Sequence, residues 1–342
     1  MQANGPTMGV TFASFQSLGI RYGIDIARSA ESLGFDSFWT AETVGQEAFA
    51  TLAAVGASTD SLDLGTGVLA LQLRTPMLAA MGAATLSDLR PDSDVFLGVG
   101  ISSPVVVGRW HGSDYGDRQL GRTREYVELL RACLSGETVN HDGDFYRAKG
   151  FRLGVRLGER RPRIVLGALN ERMLHLAGEV ADGVLLNYLP ANAVPWCIDM
   201  VRSGEKAAGR EAGSCRIHAY VHVGVCDTEA ARSAARKDLF SYAVVPAYGN
   251  AFSRAGFADE VEKIQRAHAE RDRDAALDAV SDAMIDAIDI CGTPDVVRDA
   301  TQAYMDAGVE DVVIMPLPWG EDRHQTIEAT LGAIAPLAQQ PH

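Results

Sequence analysis

The hydrophobic pattern is clearest between residues 61 and 103, where two apolar runs flank an alanine-rich stretch. The runs at 62–71 and 95–99 are nearly continuous rather than alternating, as expected of parallel strands covered on both faces. Pro76 stands where a helix between them would begin, a position at which its missing N–H costs nothing. The pattern therefore predicts a strand, a helix and a second, parallel strand.

Each of these two runs carries a Gly-x-Gly sequence, formed by Gly65 and Gly67 in the first and by Gly98 and Gly100 in the second. Glycine near a strand end lets the backbone bend, or lets a ligand approach where a Cβ atom would clash. Because consecutive parallel strands end on the same rim of a sheet, both glycine pairs are expected beside a ligand.

The same alternation of apolar runs and helical periodicity continues along most of the chain. Further strands are predicted at 8–12, 35–40, 164–166, 184–186, 217–225 and 312–315, with helical patterns between them. Eight strands alternating with helices predict a (β/α)8 TIM barrel, an α/β fold, as a single domain over 1–342. Three segments are longer than a connection requires and are predicted to be insertions at the C-terminal rim: 104–120, 139–161 and 246–290.

Composition and charge limit the classes of molecule that this chain is expected to bind. The chain has 342 residues and a net charge of -14, which repels nucleic acid and anionic lipid, so neither is an expected partner. No apolar run reaches the ~20 residues of a membrane span, and the first residues lack a secretion signal. Five scattered cysteines suit a reducing compartment. We expect a soluble, cytoplasmic protein that acts on a small-molecule substrate.

The predicted rim offers one carboxylate, Glu42, after the second strand. It could orient a hydroxyl or amide group of a cofactor, serve as an acid or base, or be a solvated surface residue. The turn at 167–170 leads from the fifth strand into a helix, whose free N–H groups and dipole favour an anion. Seven basic residues and one acid lie between 147 and 163, either to bind an extended anionic ligand or to keep the segment soluble.

Three histidines are the other candidates for chemical roles, in proton transfer or in metal binding. His111 lies in the 104–120 loop and could exchange a proton with a substrate or merely anchor its loop. His218 and His222 fall on one face of the seventh strand, but no carboxylate is near them in sequence, so no metal site is predicted. The G-x-S-x-G, H-E-x-x-H and P-loop patterns are absent, and the glycine pairs do not fit a Rossmann fingerprint.

Five segments in order resemble the luciferase-like monooxygenase superfamily, and most closely its branch of oxidoreductases that use the deazaflavin coenzyme F420. They are FDSFWTAE at 35–42, LGTGV at 64–68, FLGVG at 96–100, AGEVADGV at 177–184 and GTP at 292–294. The resemblance implies a redox ring in the barrel mouth, backed by a bulge in the third strand. The family often builds that bulge with a non-prolyl cis peptide, which would fall here at Gly67-Val68.

The resemblance also implies which residues contact the cofactor. The expected set is Glu42 after strand two, Gly67, Val68 and Ala70 at the bulge, Ser103 after strand four, and Leu169, Asn170 and Met173 at the phosphate loop. Arg160, Arg161 or Arg163 would hold an acidic tail. The family's sugar-phosphate dehydrogenases carry a histidine and a glutamate where this chain has Thr43 and Ser103, so that reaction is not expected.

The resulting hypothesis is hydride transfer between coenzyme F420 and a small organic substrate, with His111, Tyr115 or Tyr188 as the proton donor or acceptor. Family analogy implies a homodimer. One alternative is an FMN-dependent monooxygenase that works with a separate reductase. An alternative of another class is a barrel lyase or hydrolase without a redox cofactor, or a protein that only binds cofactor.

Overall fold

A computed structural model describes residues 6–226 and 228–339 of the chain. Its strands, in chain order, are β1 (Thr7–Thr11), β2 (Ser37–Thr40), β3 (Asp63–Thr66), β4 (Leu69–Ala70), β5 (Val95–Gly100), β6 (Val139–Asp142), β7 (Arg147–Phe151), β8 (Arg163–Gly167), β9 (Gly183–Leu186), β10 (Arg216–Gly224), β11 (Asp289–Cys291) and β12 (Asp311–Pro316). β1, β2, β3, β5, β8, β9, β10 and β12 pair in parallel around a closed ring.

Helices follow the strands, and most of them cover the outside of this ring. They are α1 (Ile20–Ser32), α2 (Ala48–Gly56), α3 (Pro76–Leu89), α4 (Gln119–Leu134), α5 (Glu171–Val180), α6 (Val194–Ala207), α7 (Glu229–Ala243), α8 (Pro246–Phe252), α9 (Ala258–Ala269), α10 (Arg273–Asp278), α11 (Asp282–Ile288), α12 (Pro294–Asp306) and α13 (Arg323–Ala338). The predicted (β/α)8 barrel is confirmed. Among the described helices, none combines the length and the apolar character needed to cross a membrane.

The predicted insertions take three different forms. The second, 139–161, joins the end of α4 to the start of β8 and so connects elements at the amino end of the barrel, not at the C-terminal rim as predicted. Residues 104–120 contain a short helix at Val105–Trp110, and residues 139–161 contain the antiparallel hairpin of β6 and β7. Residues 246–290 form α8 to α11 and end in β11. Neither β11 nor the last helix, α13, was predicted from the sequence. β11 is only three residues long, and its hydrogen bonds to β10 cannot be read from a local pattern.

Two apolar layers hold the barrel together. The larger lies between strands and helices and explains the continuous apolar runs, since alternate strand residues face out to the helices. The smaller fills the barrel interior, where the Trp39 and Phe96 rings stack 5.2 Å apart and Leu185, Tyr220 and Val313 complete the packing. A separate apolar cluster joins α7, α8, α9 and α11, so the 229–288 region has a core of its own.

Candidate active site at the barrel mouth

The third barrel strand is interrupted between β3 and β4 at the predicted bulge. The Gly67-Val68 peptide bond is cis, as the family resemblance implied. The Tyr220 hydroxyl, reaching across the barrel interior from β10, donates to the Gly67 carbonyl oxygen at 3.0 Å and accepts from Thr11 Oγ1 at 3.3 Å. The bulge is therefore supported from inside the barrel by a fully buried side chain.

Glycines in the neighbouring strands give the bulge its space. A Cβ atom at Gly98 would lie 1.8 Å from the Thr66 carbonyl oxygen, and one at Gly100 would lie 2.9 Å from Cγ2 of Val68. The Gly-x-Gly pattern of the fourth predicted strand is thus a packing requirement of the third strand. Ala70 follows the bulge, is buried, and pairs with Gly100 in the parallel sheet.

Glu42 is held in place rather than solvated. Arg74 donates to both of its carboxylate oxygens, from Nη2 at 3.0 Å and from Nε at 3.3 Å, and the Ala48 N–H donates to Oε2 at 3.0 Å. Arg74 also contacts Glu47. Burial lowers the pKa of Arg74, but the hydrogen bond and charge of Glu42 outweigh it and leave the pKa above its usual value. This ion pair orders the loop after β2 beside the mouth.

The 104–120 segment contains two of the predicted site residues, His111 and Tyr115, and Ser103 directly precedes it. Ser103 Oγ accepts from the Val106 N–H at 3.2 Å, at the start of the short helix. His111 Nε2 lies 2.7 Å from the Thr43 carbonyl oxygen, which joins this segment to the loop after β2. Tyr115 is half-buried, and burial raises its pKa above the usual value. Their roles in cofactor contact and proton transfer stay predictions.

The predicted anion turn lies on the same rim, where β8 leads into α5. Asn170 precedes α5 without capping it through its side chain. Its Nδ2 donates instead to the Ala247 carbonyl oxygen at 3.1 Å, and its Oδ1 accepts from Arg254 Nη2 at 3.3 Å. Met173 lies in the first turn of α5, and its N–H bonds the Asn170 carbonyl at 2.9 Å.

A cavity of about 260 Å³ opens next to this turn. Its walls include Leu169, Trp196 and Arg254, whose guanidinium group lies 4.1 Å from the centre of the Trp196 ring. A cation beside a helix N-terminus provides a place for an anionic group. The sequence analysis missed Arg254 because it lies far along the chain, in the insertion, and outside any motif.

Arg160 and Arg163, at the end of the basic segment, lie at the other end of the barrel. Arg163 begins β8 and pairs with Asp94, which precedes β5, at 2.9 Å, and Arg160 lies 3.6 Å from the same carboxylate. The turn at 167–170 follows the same strand, about 13 Å away at ~3.3 Å per residue. The expectation that Arg160 or Arg163 holds an acidic tail at the mouth is therefore wrong, because a strand separates its two ends by its own length.

His222 has carboxylate neighbours, contrary to the sequence analysis. Its Nδ1 lies 3.0 Å from Asp289 Oδ1, and its Nε2 lies 2.8 Å from Asn187 Oδ1. Tyr188 donates its hydroxyl to Asp238 Oδ2 at 2.7 Å and packs its ring against His222, with the centroids 4.2 Å apart. β11 and α7 bring in the two carboxylates from 67 and 16 residues along the chain, which no local spacing reveals.

Burial dominates the protonation of this cluster. It raises the pKa of Asp238 to about 7 and that of Asp289 to about 8, and it lowers the pKa of His222 to about 4. It also raises the pKa of Tyr188 well above its usual value. Tyr188 has a left-handed backbone conformation with φ at 50°. His218, at the amino end of β10, lies instead beside Asp311, with Nδ1 and Oδ2 2.9 Å apart.

Comparison with known proteins agrees with this architecture. A sequence model described as luciferase-like monooxygenase matches residues 6–311. The chain is 28% identical to a 5,10-methylenetetrahydromethanopterin reductase of Methanolobus tindarius, over 88% of this chain and 92% of that protein. It is 29% identical to a putative coenzyme F420-dependent oxidoreductase of Mycobacterium tuberculosis, over 85% and 89% of the two chains.

Solved structures show the same fold. The coenzyme F420-dependent tetrahydromethanopterin reductase of Methanopyrus kandleri superposes with a TM-score of 0.81 at 23% identity, covering 98% of this chain and all of that chain. An F420-dependent secondary alcohol dehydrogenase superposes with a TM-score of 0.78 at 16% identity, with the same two coverages.

Proposed function

The chain belongs to the luciferase-like monooxygenase family, and from this premise we propose that it is an oxidoreductase that transfers hydride between coenzyme F420 and a small organic substrate. The observation that carries the proposal is the bulge at Gly67-Val68, in the position at which the family supports a planar redox ring. The similarity to proteins described as F420-dependent, over most of both chains, favours this cofactor.

The residues at the mouth fit such a group. Val68 projects from the bulge between glycines of the adjacent strands, leaving an apolar surface against which a ring could lie. When bound, the deazaflavin would supply the carbon that accepts or donates the hydride. Tyr220 would keep the bulge in position through the Gly67 carbonyl, and the pair of Glu42 and Arg74 would keep the adjoining rim loop ordered.

The anionic part of the cofactor would extend toward Arg254. The turn at Asn170 offers the N-terminus of α5, and the cavity beyond it places Arg254 and Trp196 side by side. An acidic tail longer than the single phosphate of FMN would use both the turn and the cavity. In this proposal Arg254 replaces the arginines that the sequence analysis assigned to the tail.

Titration of the purified protein with F420 and with FMN tests the proposal. We expect saturable F420 binding and no competing FMN binding. Arg254→Ala should weaken F420 binding ~10- to 100-fold, because the variant loses one or more charge-assisted hydrogen bonds to the anionic part of the cofactor. Arg160→Ala, at the opposite end of the barrel, is the matched control and should bind like the wild type. Binding of FMN without F420 would refute the assignment in favour of a flavin monooxygenase.

A cytoplasmic homodimer is part of the same proposal. Leu78, Met81 and Leu89 on α3 expose large apolar side chains, as an interface between two copies would require. The thiols of Cys133, Cys197 and Cys215 are buried without disulfides, which suits a reducing compartment. Light scattering of the eluted protein would measure the mass in solution, and a monomer would contradict the dimer.

A further inference from the structure

The buried cluster around His222 lies toward the carboxyl end of β10, which is the end at the barrel mouth. Tyr220, on the same face of β10, reaches the bulge with its hydroxyl. His222 lies two residues closer to the carboxyl end of that strand, ~7 Å nearer the mouth. Asn187, which follows β9 and contacts Nε2 of His222, is only partly buried, whereas His222 and Asp289 are sealed from solvent. Nε2 of His222 is therefore the atom of the cluster that contacts a partly exposed residue of the rim.

With the Asn187 amide oxygen turned toward His222, hydrogen bonding places a proton between His222 and Asp289. Nε2 of His222 lies 2.8 Å from the Asn187 amide oxygen, and Nδ1 lies 3.0 Å from Asp289 Oδ1. With the amide oxygen facing it, Nε2 is assigned as the donor, which leaves Nδ1 to face the carboxyl group. A neutral imidazole has one donor and one acceptor, so Nδ1 would then face a carboxyl oxygen with no hydrogen between them. Either Asp289 carries a proton and donates it, or the imidazole carries two. In both cases this pair of side chains binds one proton beyond that of Nε2.

The second carboxyl group makes that proton easier to retain. Asp238 from α7 lies beside Asp289, and a side-chain hydrogen bond links the two carboxyl groups. Two carboxylates buried together disfavour double ionisation. The other titratable groups that face the cluster are phenols and a thiol, none of them cationic near neutral pH: Tyr188, Tyr242, Tyr248, Tyr304 and Cys291.

We propose that His222, Asp289 and Asp238 form a proton-storing unit that exchanges one proton with the substrate at the barrel mouth through Nε2 of His222. The proposal deepens and rests on the proposed hydride transfer. A substrate oxygen or nitrogen would take the place of the Asn187 amide oxygen as the acceptor from Nε2. The raised pKa values of the two carboxyl groups and the lowered pKa of His222 agree with storage on the carboxyl side.

Each hydride added to the substrate is accompanied by one proton from this unit. As hydride adds to the carbon of a C=O or C=N bond, the π electron pair moves to the heteroatom, which takes the proton from Nε2. Nδ1 then takes the proton of Asp289, leaving a carboxylate, and the unit recovers its proton from solvent. When an alcohol or amine is oxidised, each proton moves in the opposite direction and the unit releases one proton to solvent.

Infrared spectroscopy of the protein without cofactor tests whether the unit stores a proton. We expect the carbonyl stretch of a protonated carboxyl group at pH 6, its loss as the pH rises through about 8, and a weaker band in Asp289→Asn than in the wild type. Asp306→Asn, in an exposed position on α12, is the matched control and should leave the band unchanged. If Asp289→Asn does not fold, Asp238→Asn serves in its place. Wild-type protein without this band at pH 6 would overturn the proposal.

Turnover separates this role from a structural one. With reduced F420 and acetone, cyclohexanone or cyclohex-2-enone as acceptor, we expect His222→Gln to lower kcat ~100-fold or more, with F420 affinity within ~2-fold of wild type. Asp289→Asn should flatten the pH profile of kcat. Variants that keep the wild-type kcat and pH profile would overturn the proposal. Absence of F420 binding would refute the proposed function alone, while the infrared result would still decide proton storage.

Discussion

Replacing Tyr220 with phenylalanine tests whether the bulge depends on support from inside the barrel. The substitution removes only the hydroxyl oxygen, which donates to the Gly67 carbonyl at 3.0 Å and accepts from Thr11 at 3.3 Å. No other donor to the Gly67 carbonyl occurs in the described part of the chain, and the site is sealed from water. The carbonyl would therefore be left buried without a partner.

The loss of stability expected for Tyr220→Phe follows from the two groups that lose a hydrogen bond, the Gly67 carbonyl and the Thr11 hydroxyl. A buried carbonyl that loses its donor costs about 1 to 3 kcal/mol. The Thr11 hydroxyl still accepts from the Ala13 N–H at 3.2 Å. Its loss of the Tyr220 partner therefore adds less to the destabilisation than the loss at the Gly67 carbonyl. We expect Tyr220→Phe to lower the free energy of unfolding by ~2 kcal/mol and F420 affinity by ~10-fold, as the ring support loosens.

Urea unfolding and F420 titration of the same preparations would measure both quantities. Tyr22→Phe is the matched control, since it removes a hydroxyl that bonds the His324 carbonyl at 3.3 Å at the surface. That change should alter stability by less than ~0.5 kcal/mol. If Tyr220→Phe is as stable as Tyr22→Phe and binds F420 like the wild type, the hydroxyl does not support the bulge and our reasoning fails.

Three further predictions concern other parts of the barrel. Gly98→Ala should destabilise the protein by ~3 kcal/mol or more, because its Cβ would meet the Thr66 carbonyl oxygen, and urea unfolding would show this directly. Arg74→Lys, which loses the two-pronged bond to Glu42, should lower the unfolding free energy by ~1 kcal/mol; an unchanged urea midpoint would contradict the role of this pair. Burial raises the pKa of Asp289 to about 8, so the folded protein binds more protons than the unfolded chain between pH ~4 and ~8 and its stability should fall as the pH rises through that range. Unfolding of Asp289→Asn across the same pH range should show a shallower decline.

The barrel could be predicted from the sequence because each of its strands and helices is marked by a pattern of neighbouring residues. A continuous apolar run such as 95–99 marks a strand buried on both faces, and eight such runs with helices between them leave few alternative folds. The bulge was likewise predictable, since the family resemblance around LGTGV placed it at Gly67-Val68. In each case the residues that carry the signal are neighbours in the chain.

The remaining features of the site depend on distant residues. Arg254 meets Asn170 from 84 positions away, and Asp289 meets His222 from 67 positions away, so neither contact leaves a spacing to recognise. Arg163 shows the opposite error, because it is close to the anion turn in sequence but separated from it by the length of β8. Sequence proximity predicts contact within a turn or helix but not across a strand.

One edge of β10 changes its partner halfway along its length. Residues 216–219 pair with β9, whereas residues 222–224 pair with β11, the last strand of the 229–291 segment. The 229–291 segment therefore hydrogen-bonds to the barrel only along the half of β10 nearest the mouth. It also contributes Asp238 and Arg254 on that side. Replacing this segment would change the wall around the mouth without altering the register of β10 with β9 and β12.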